Sequence, residues 1–248
     1  MSNRTYTYAL PVASGLAWWL ATAPGLVSPL FVASPQAVLA AAATALTNEQ
    51  LYSDVGFTAY RVLTGFAIAA LIGTTAGMLM GYSRSVYALL APGVDFFRGI
   101  PVTALIPLFL LAFGLGDDGR IAMIAWSAGL TITVNTMYGV HQGSVLRLKV
   151  ARSLKASEAQ VFLRVILPEA LPQIVSGYRI AISMSLVIAV ATEMFIGTSH
   201  GLGRSILDAQ LAYKIPEMYV AIIVTGLLGY GLNQLLITIE KRVSHKAS

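Results

Sequence analysis

The sequence predicts an all-α, polytopic membrane helical bundle of about six transmembrane helices. Three observations lead there. Of 248 residues, 56% are hydrophobic and only 11% charged, less than half the roughly 25% charged share of soluble domains. The apolar residues come in stretches of about 20, the length that crosses a bilayer. The Lys and Arg residues gather between these stretches and mostly on one side. One soluble core cannot bury so much apolar surface, and a disordered chain is poor in hydrophobic residues. There is no Cys, which excludes a disulfide framework and thiolate chemistry.

The six expected spans are Tyr8–Ala23, Thr58–Met80, Val86–Phe113, Ile121–Val140, Ile174–Ile196 and Tyr219–Ile239. The first is short, contains Pro11, and ends in Trp18 and Trp19, residue types that favour the membrane interface. Ala21-Thr22-Ala23 resembles a small-residue cleavage site. A single Arg precedes it, so a retained span is expected. Residues 24–54 hold no Lys or Arg and are broken by Pro24, Pro29 and Pro35, with a short helix expected at Gln36–Leu46. With both termini cytoplasmic, ten basic residues fall inside: Arg4, Arg84, Arg147, Lys149, Arg152, Lys155, Arg164, Lys241, Arg242 and Lys246. Only Arg120, Arg204 and Lys214 fall outside, a bias that sets the orientation. A single domain over 1–248 is expected, with one long inner loop at about 143–173.

The second span carries Gly65, Ala69, Gly73, Gly77 and Gly81, a small residue at every fourth position. These share one helix face, a ridge that lets another backbone approach closely. Packing within the chain and packing against a second copy or the pathway both fit.

The inner loop reads as two short helices. Val145–Leu154 places Leu148, Ala151 and Leu154 on one face, and a break follows near Lys155 and Ala156. Ser157 and Gln160 then fit a capping box. Beyond it Phe162, Val165 and Ile166 share a face until Pro168, which is expected to stop the helix. Such a basic, amphipathic pair fits either the lipid headgroups or the groove of a cytosolic partner, with Phe162 as anchor.

Ionisable residues in spans are costly and tend to be paired or functional. Asp95 and Arg98 are three apart and can pair, or Arg98 can attract an anionic solute. Arg179 lies near the inner end of the fifth span, within reach of headgroups. Glu193 lies toward its outer end, opposite Arg61 of the second span, and the two are a possible cross-helix pair. Asp117 and Asp118 read as a solvated outer turn. His141, His200 and His245 read as polar loop residues without metal-ligand spacing. The sequence offers no catalytic constellation.

The inner loop resembles a known family. Val150-Ala151, Lys155 and Val165-Ile166-Leu167-Pro168 match the spacing of the EAA loop of permease subunits in binding-protein-dependent ABC importers. Phe97-Arg98-Gly99-Ile100-Pro101, Ile106-Pro107-Leu108 and Phe113-Gly114-Leu115-Gly116 resemble the nitrate, sulfonate and taurine branch. So do Ser28-Pro29-Leu30-Phe31, Gly177-Tyr178-Arg179-Ile180-Ala181, Thr192-Glu193-Met194 and Gly201-Leu202-Gly203. Lys149, Val150 and Lys155 replace the pattern's Glu, first Ala and Gly. The Gly position favours a left-handed backbone, so Lys155 is expected to cost about 1 kcal/mol if that backbone is kept.

The resemblance implies a type I ABC importer-like permease fold in a bacterial inner membrane. It implies cytosolic ABC ATPase subunits that bind ATP and Mg, a periplasmic substrate-binding protein and a second permease copy. This chain itself is expected to bind no cofactor and no nucleic acid, and it lacks a phosphate loop. The coupling loop would comprise Ala151, Lys155, Ala156, Ser157, Gln160, Phe162, Arg164, Leu167 and Pro168. Arg98, Arg179, Glu193 and Arg61 are the expected pathway or intramembrane polar residues. The implied solute is a small oxyanion such as taurine or another sulfonate, nitrate or bicarbonate, with a thiamine precursor as the alternative. An ATP-independent secondary transporter fits less well, since six spans are few and no interrupted helix pair with matching polar groups is visible.

Overall fold

The computed structural model describes residues 3–22, 27–28, 31–143, 150–151 and 153–244. Their regular elements are all helical, and the chain divides into two compact units. Met1–Phe57 and Thr198–Leu227 form the first, Thr58–Gly197 and Leu228–Ser248 the second.

The first unit holds α1 (Asn3–Ala21), α2 (Pro35–Ala45), the start of α3 (Glu49–Tyr82), α8 (Leu202–Leu211) and the start of α9 (Ile215–Ser244). The helix expected at Gln36–Leu46 is thus present. Ser34 caps it, accepting from the Ala37 N–H, and Pro35 occupies the first turn, where a missing N–H costs nothing. Ala33, Val38, Ile215 and Val220 form the core. Trp18 joins it, donating from Nε1 to the Ala33 carbonyl at 3.0 Å and stacking on Tyr219 at 5.8 Å. α8 was not expected. Its signal lies in Leu202, Ile206 and Ala209, buried at helical spacing.

The second unit holds the rest of α3, α4 (Arg84–Arg98), a 3-10 turn (Val102–Leu105), α5 (Ile106–Phe113), α6 (Asp117–His141) and α7 (Glu158–Ile196), with the end of α9. Its core joins Val62, Met123, Ile124, Ile182, Leu186 and Ala189. The small-residue ridge of α3 packs on α6 of the same chain. A Cβ added at Gly65 would meet Ile124 at 2.6 Å, one at Gly73 the Gly129 carbonyl at 2.6 Å, and one at Gly81 Val140 at 2.6 Å. Backbones this close exclude any larger side chain.

Among the described residues, α3, α6, α7 and Ile215–Thr238 of α9 are long and apolar enough to cross a membrane. α1 forms where the first span is expected, but its described apolar stretch, Val12–Ala21, falls short of that length. Two expectations need correction. Val86–Phe113 is not one straight span, since Arg84–Arg98 and Val102–Phe113 meet at 92°. Pro101 lacks an N–H and forces Ile100 out of the helical region. Pro168, in turn, does not stop the loop helix. Residues Phe162–Ile166 widen into a π turn, with the Leu167 N–H bonded to the Phe162 carbonyl. The wider turn relieves the clash between a proline ring and the carbonyl four residues back. The second loop helix and the fifth span are therefore one 39-residue helix.

Candidate functional site

Two sites stand at opposite ends of the α3–α6–α7 packing. At the loop end, residues 150, 151 and 153 are helical; residues 144–149, with Leu148, lie outside the described residues. Lys155 ends this helix at φ 55°. The Ala156 N–H reaches back to the Ala151 carbonyl at 3.1 Å, the six-to-one bond of a Schellman cap. Lysine thus adopts the backbone expected of glycine. Ser157 then opens α7 with the capping box: its Oγ accepts from the Gln160 N–H, and its own N–H donates to Gln160 Oε1 at 2.9 Å.

Val161 and Ile166 are buried against Val140, Ala170 and Ile174, with Ala151, Ala156, Phe162 and Leu167 packed around them. The Phe162 ring turns onto its own chain, edge-on to Tyr82 at 5.7 Å, and the Tyr82 hydroxyl donates to Glu158 Oε2 at 2.5 Å. Leu154 (77% exposed), Leu163 (60%) and Val150 (52%) are the large apolar side chains facing outward, with Arg164 exposed beside them. Leu154 and Leu163 are thus more exposed than Phe162, which is half-buried. Pro168 is half-buried behind the π turn.

At the other end, four charges meet among the described residues. Arg61 donates from Nη1 to Glu193 Oε1 at 2.6 Å and from Nε to Asp117 Oδ1 at 2.8 Å. Thr58 donates to both Glu193 oxygens, and Arg120 donates to Asp117 at 3.0 Å and to the Gly197 carbonyl at 2.5 Å. Arg61, Arg120 and Glu193 are 3% exposed or less. Two cations balance two carboxylates, so the cluster is neutral and its hydrogen bonds offset desolvation. Asp117, expected as a solvated turn, is half-buried and binds both arginines. Sequence reasoning missed Arg120, whose i,i+3 spacing from Asp117 was the available signal.

Arg179 donates to Glu240 of α9 at 3.3 Å, a pairing rather than a reach for headgroups. Asp95 and Arg98 do approach each other, at 3.7 Å, with both side chains exposed. In the first unit, His200 stacks on Phe57 at 4.9 Å, 3.4 Å from the Ser53 hydroxyl. Asp54 accepts from the Gly201 N–H and the Ser205 hydroxyl and so anchors the start of α8. His200 is a loop residue, as expected, with one face of its ring against Phe57.

The family described as the binding-protein-dependent transport system inner membrane component matches residues 69–247. The chain belongs to this family. A probable ABC transporter permease protein of Brucella melitensis is 35% identical to this permease over 227 residues, covering 92% of this chain and 91% of the relative. The taurine transport system permease protein of Escherichia coli is 30% identical over 232 residues, 92% of this chain and 84% of the relative. A bicarbonate transport system permease protein of Synechococcus elongatus is 35% identical over 181 residues, 73% and 65% of the two chains.

Among solved structures, the inward-facing MetNI methionine ABC transporter superposes with a TM-score of 0.68 at 20% identity, covering 80% of this chain and 96% of that one. An amino acid ABC transporter superposes at 0.61 and 20% identity, covering 77% and 92%. These likenesses establish the type I importer permease fold. The permease is a multi-pass inner-membrane transport subunit of an ABC importer, not an enzyme.

Proposed function

We propose that the permease conducts a small oxyanion, of the taurine, sulfonate or bicarbonate class, delivered by a periplasmic binding protein. The relatives that carry such solutes support the class. The surface at Leu154–Leu163 carries the coupling reading. Two helix ends meet at a tight left-handed turn, project two exposed leucines, and are braced behind by Tyr82 and Phe162. A partner ATPase closes on this surface and supplies ATP and Mg. The site lies on the cytoplasmic side with both termini, and a second copy of the permease completes the pathway.

The test is reconstitution in proteoliposomes with the ATPase and the binding protein. Uptake of labelled taurine, an alkanesulfonate or bicarbonate is expected only with ATP inside and the ATPase present. Leu154→Asp combined with Leu163→Asp is expected to lower ATPase copurification at least tenfold, since each buries an unpaired charge at an interface. Uptake without the ATPase, or full copurification by the double variant, contradicts the reading.

A further inference from the structure

The ionisable residues that the sequence places in or near spans, with the partners they meet, fall into two kinds. Arg61, Asp117, Arg120 and Glu193 bond one another, and Arg179 bonds Glu240. Asp95 and Arg98 differ. Their closest approach of 3.7 Å is too long for a hydrogen bond, and their side chains are 72% and 47% exposed. Among the described residues, Asp95 is the one charged neighbour of Arg98 within 4 Å.

Their depth follows from aromatic packing. Phe97 meets Trp126 edge-on at 5.0 Å, and Phe109, beyond the 92° bend, meets the same ring at 6.4 Å. Trp126 stands nine residues into the 25-residue α6, about 14 Å from its Asp117 end and about 23 Å from its His141 end. A hydrocarbon layer is about 30 Å thick, so Arg98 lies near mid-depth. An exposed ion pair is costly against lipid there. Gly99, Pro101 and Thr103, just beyond, are exposed and outside regular α-helix, and such backbone at membrane depth is tolerated only in protein or along a water-filled cavity. At that depth both the exposed charges and the irregular backbone exclude lipid from the same elbow.

We propose that the α4–α5 elbow lines the water-filled pathway and that Arg98 is the contact for the anionic group of the solute. This rests on the permease reading above. Asp95 is the resident counter-ion, close enough to neutralise Arg98 when the pathway is empty and too loosely placed to occupy its donors. An incoming sulfonate, carboxylate or bicarbonate displaces Asp95 and takes the guanidinium fork. A solute that also carries an ammonium group finds Asp95 beside it.

The absence of cysteine makes a direct test clean. Thr103→Cys, with Ala104→Cys as a second position, is reconstituted with the ATPase and treated with thiol reagents of equal size, one bearing a sulfonate and one a trimethylammonium group. Both positions are expected to react, whereas Leu71→Cys, on an exposed apolar face of α3, is not. Adding Arg98→Gln is expected to slow the sulfonate reagent about tenfold, Asp95→Asn to speed it, and the cationic reagent to respond oppositely. Arg98→Lys is expected to keep the wild-type rates. Failure of both cysteines to react, rates indifferent to the two charge changes, or crosslinking between copies without labelling each overturns the proposal. Labelling needs neither solute nor ATP. Normal labelling without oxyanion uptake thus counts against the transport class alone, and uptake without labelling against the elbow alone.

Discussion

At the scale of single residues, two positions hold most of the physics. The Arg61–Glu193 pair is buried on both sides. Removing one partner strands a charge, at a cost of about 3–5 kcal/mol, while removing both is much cheaper. Glu193→Met and Arg61→Met are each expected to lower the unfolding temperature in detergent sharply. The combination of Arg61→Met with Glu193→Met should fall well short of the sum of the single effects, which a double-mutant cycle reads directly. Additive losses would show that the two side chains do not act as a pair. Lys155 is the second position. Its positive φ costs a residue with a Cβ about 1 kcal/mol. Lys155→Gly is therefore expected to stabilise the turn by about that much and to leave transport intact or improved. Uptake lost in a Lys155→Gly protein that still assembles with its ATPase would contradict this.

At the scale of elements, α3 acts as a stiff strut. Its small-residue ridge lies against α6, Arg61 ties it to α6 and α7 near one end, and Tyr82 ties it to Glu158 at the other. From Arg61 to Tyr82 is 21 residues, about 32 Å of helix, so the coupling surface is braced by the same packing that buries the ion cluster. Gly77→Ala tests this. The new Cβ meets the Thr133 carbonyl and lies 2.6 Å from the Thr136 Cβ, which must push the helices apart at a cost of about 1–3 kcal/mol. Gly56→Ala, earlier on the same helix, meets nothing within 4 Å and is expected to stabilise by about 0.5–1 kcal/mol. Opposite signs of the two thermal shifts are expected; equal shifts would mean that the ridge is not a close contact. The ridge itself was legible in the sequence as a face, but not its partner, because a small-residue stripe specifies only how close a neighbour comes.

For the whole molecule, the legible parts are those set by local chemistry. Hydropathy placed the long helices, the i,i+3 spacing placed Asp95 beside Arg98, and Ser157 with Gln160 announced the capping box. The loop pattern marked Lys155 as the place for a left-handed turn but left open whether a lysine keeps it; the structure shows that it does. What local reasoning misjudged were places where distant segments meet. Pro168 looked like a stop, yet a π turn absorbs it, because the packing of Val161 and Ile166 against Val140 and Ala170 holds the helix together on both sides. Phe162 reads from the sequence as part of an apolar face, whereas the fold also sets its ring edge-on to Tyr82. Asp117 looked solvated, yet two arginines converge on it.

The sequence by itself determined that this chain lives in a membrane, where its long apolar helices run, and which family it belongs to, since each rests on composition, periodicity or motif spacing along the chain. Tertiary structure alone decided which charges are spent on one another and which remain exposed. Charge pairing depends on distances of a few ångströms between residues as far apart in sequence as Arg61 and Glu193, and only the packed helices fix those distances.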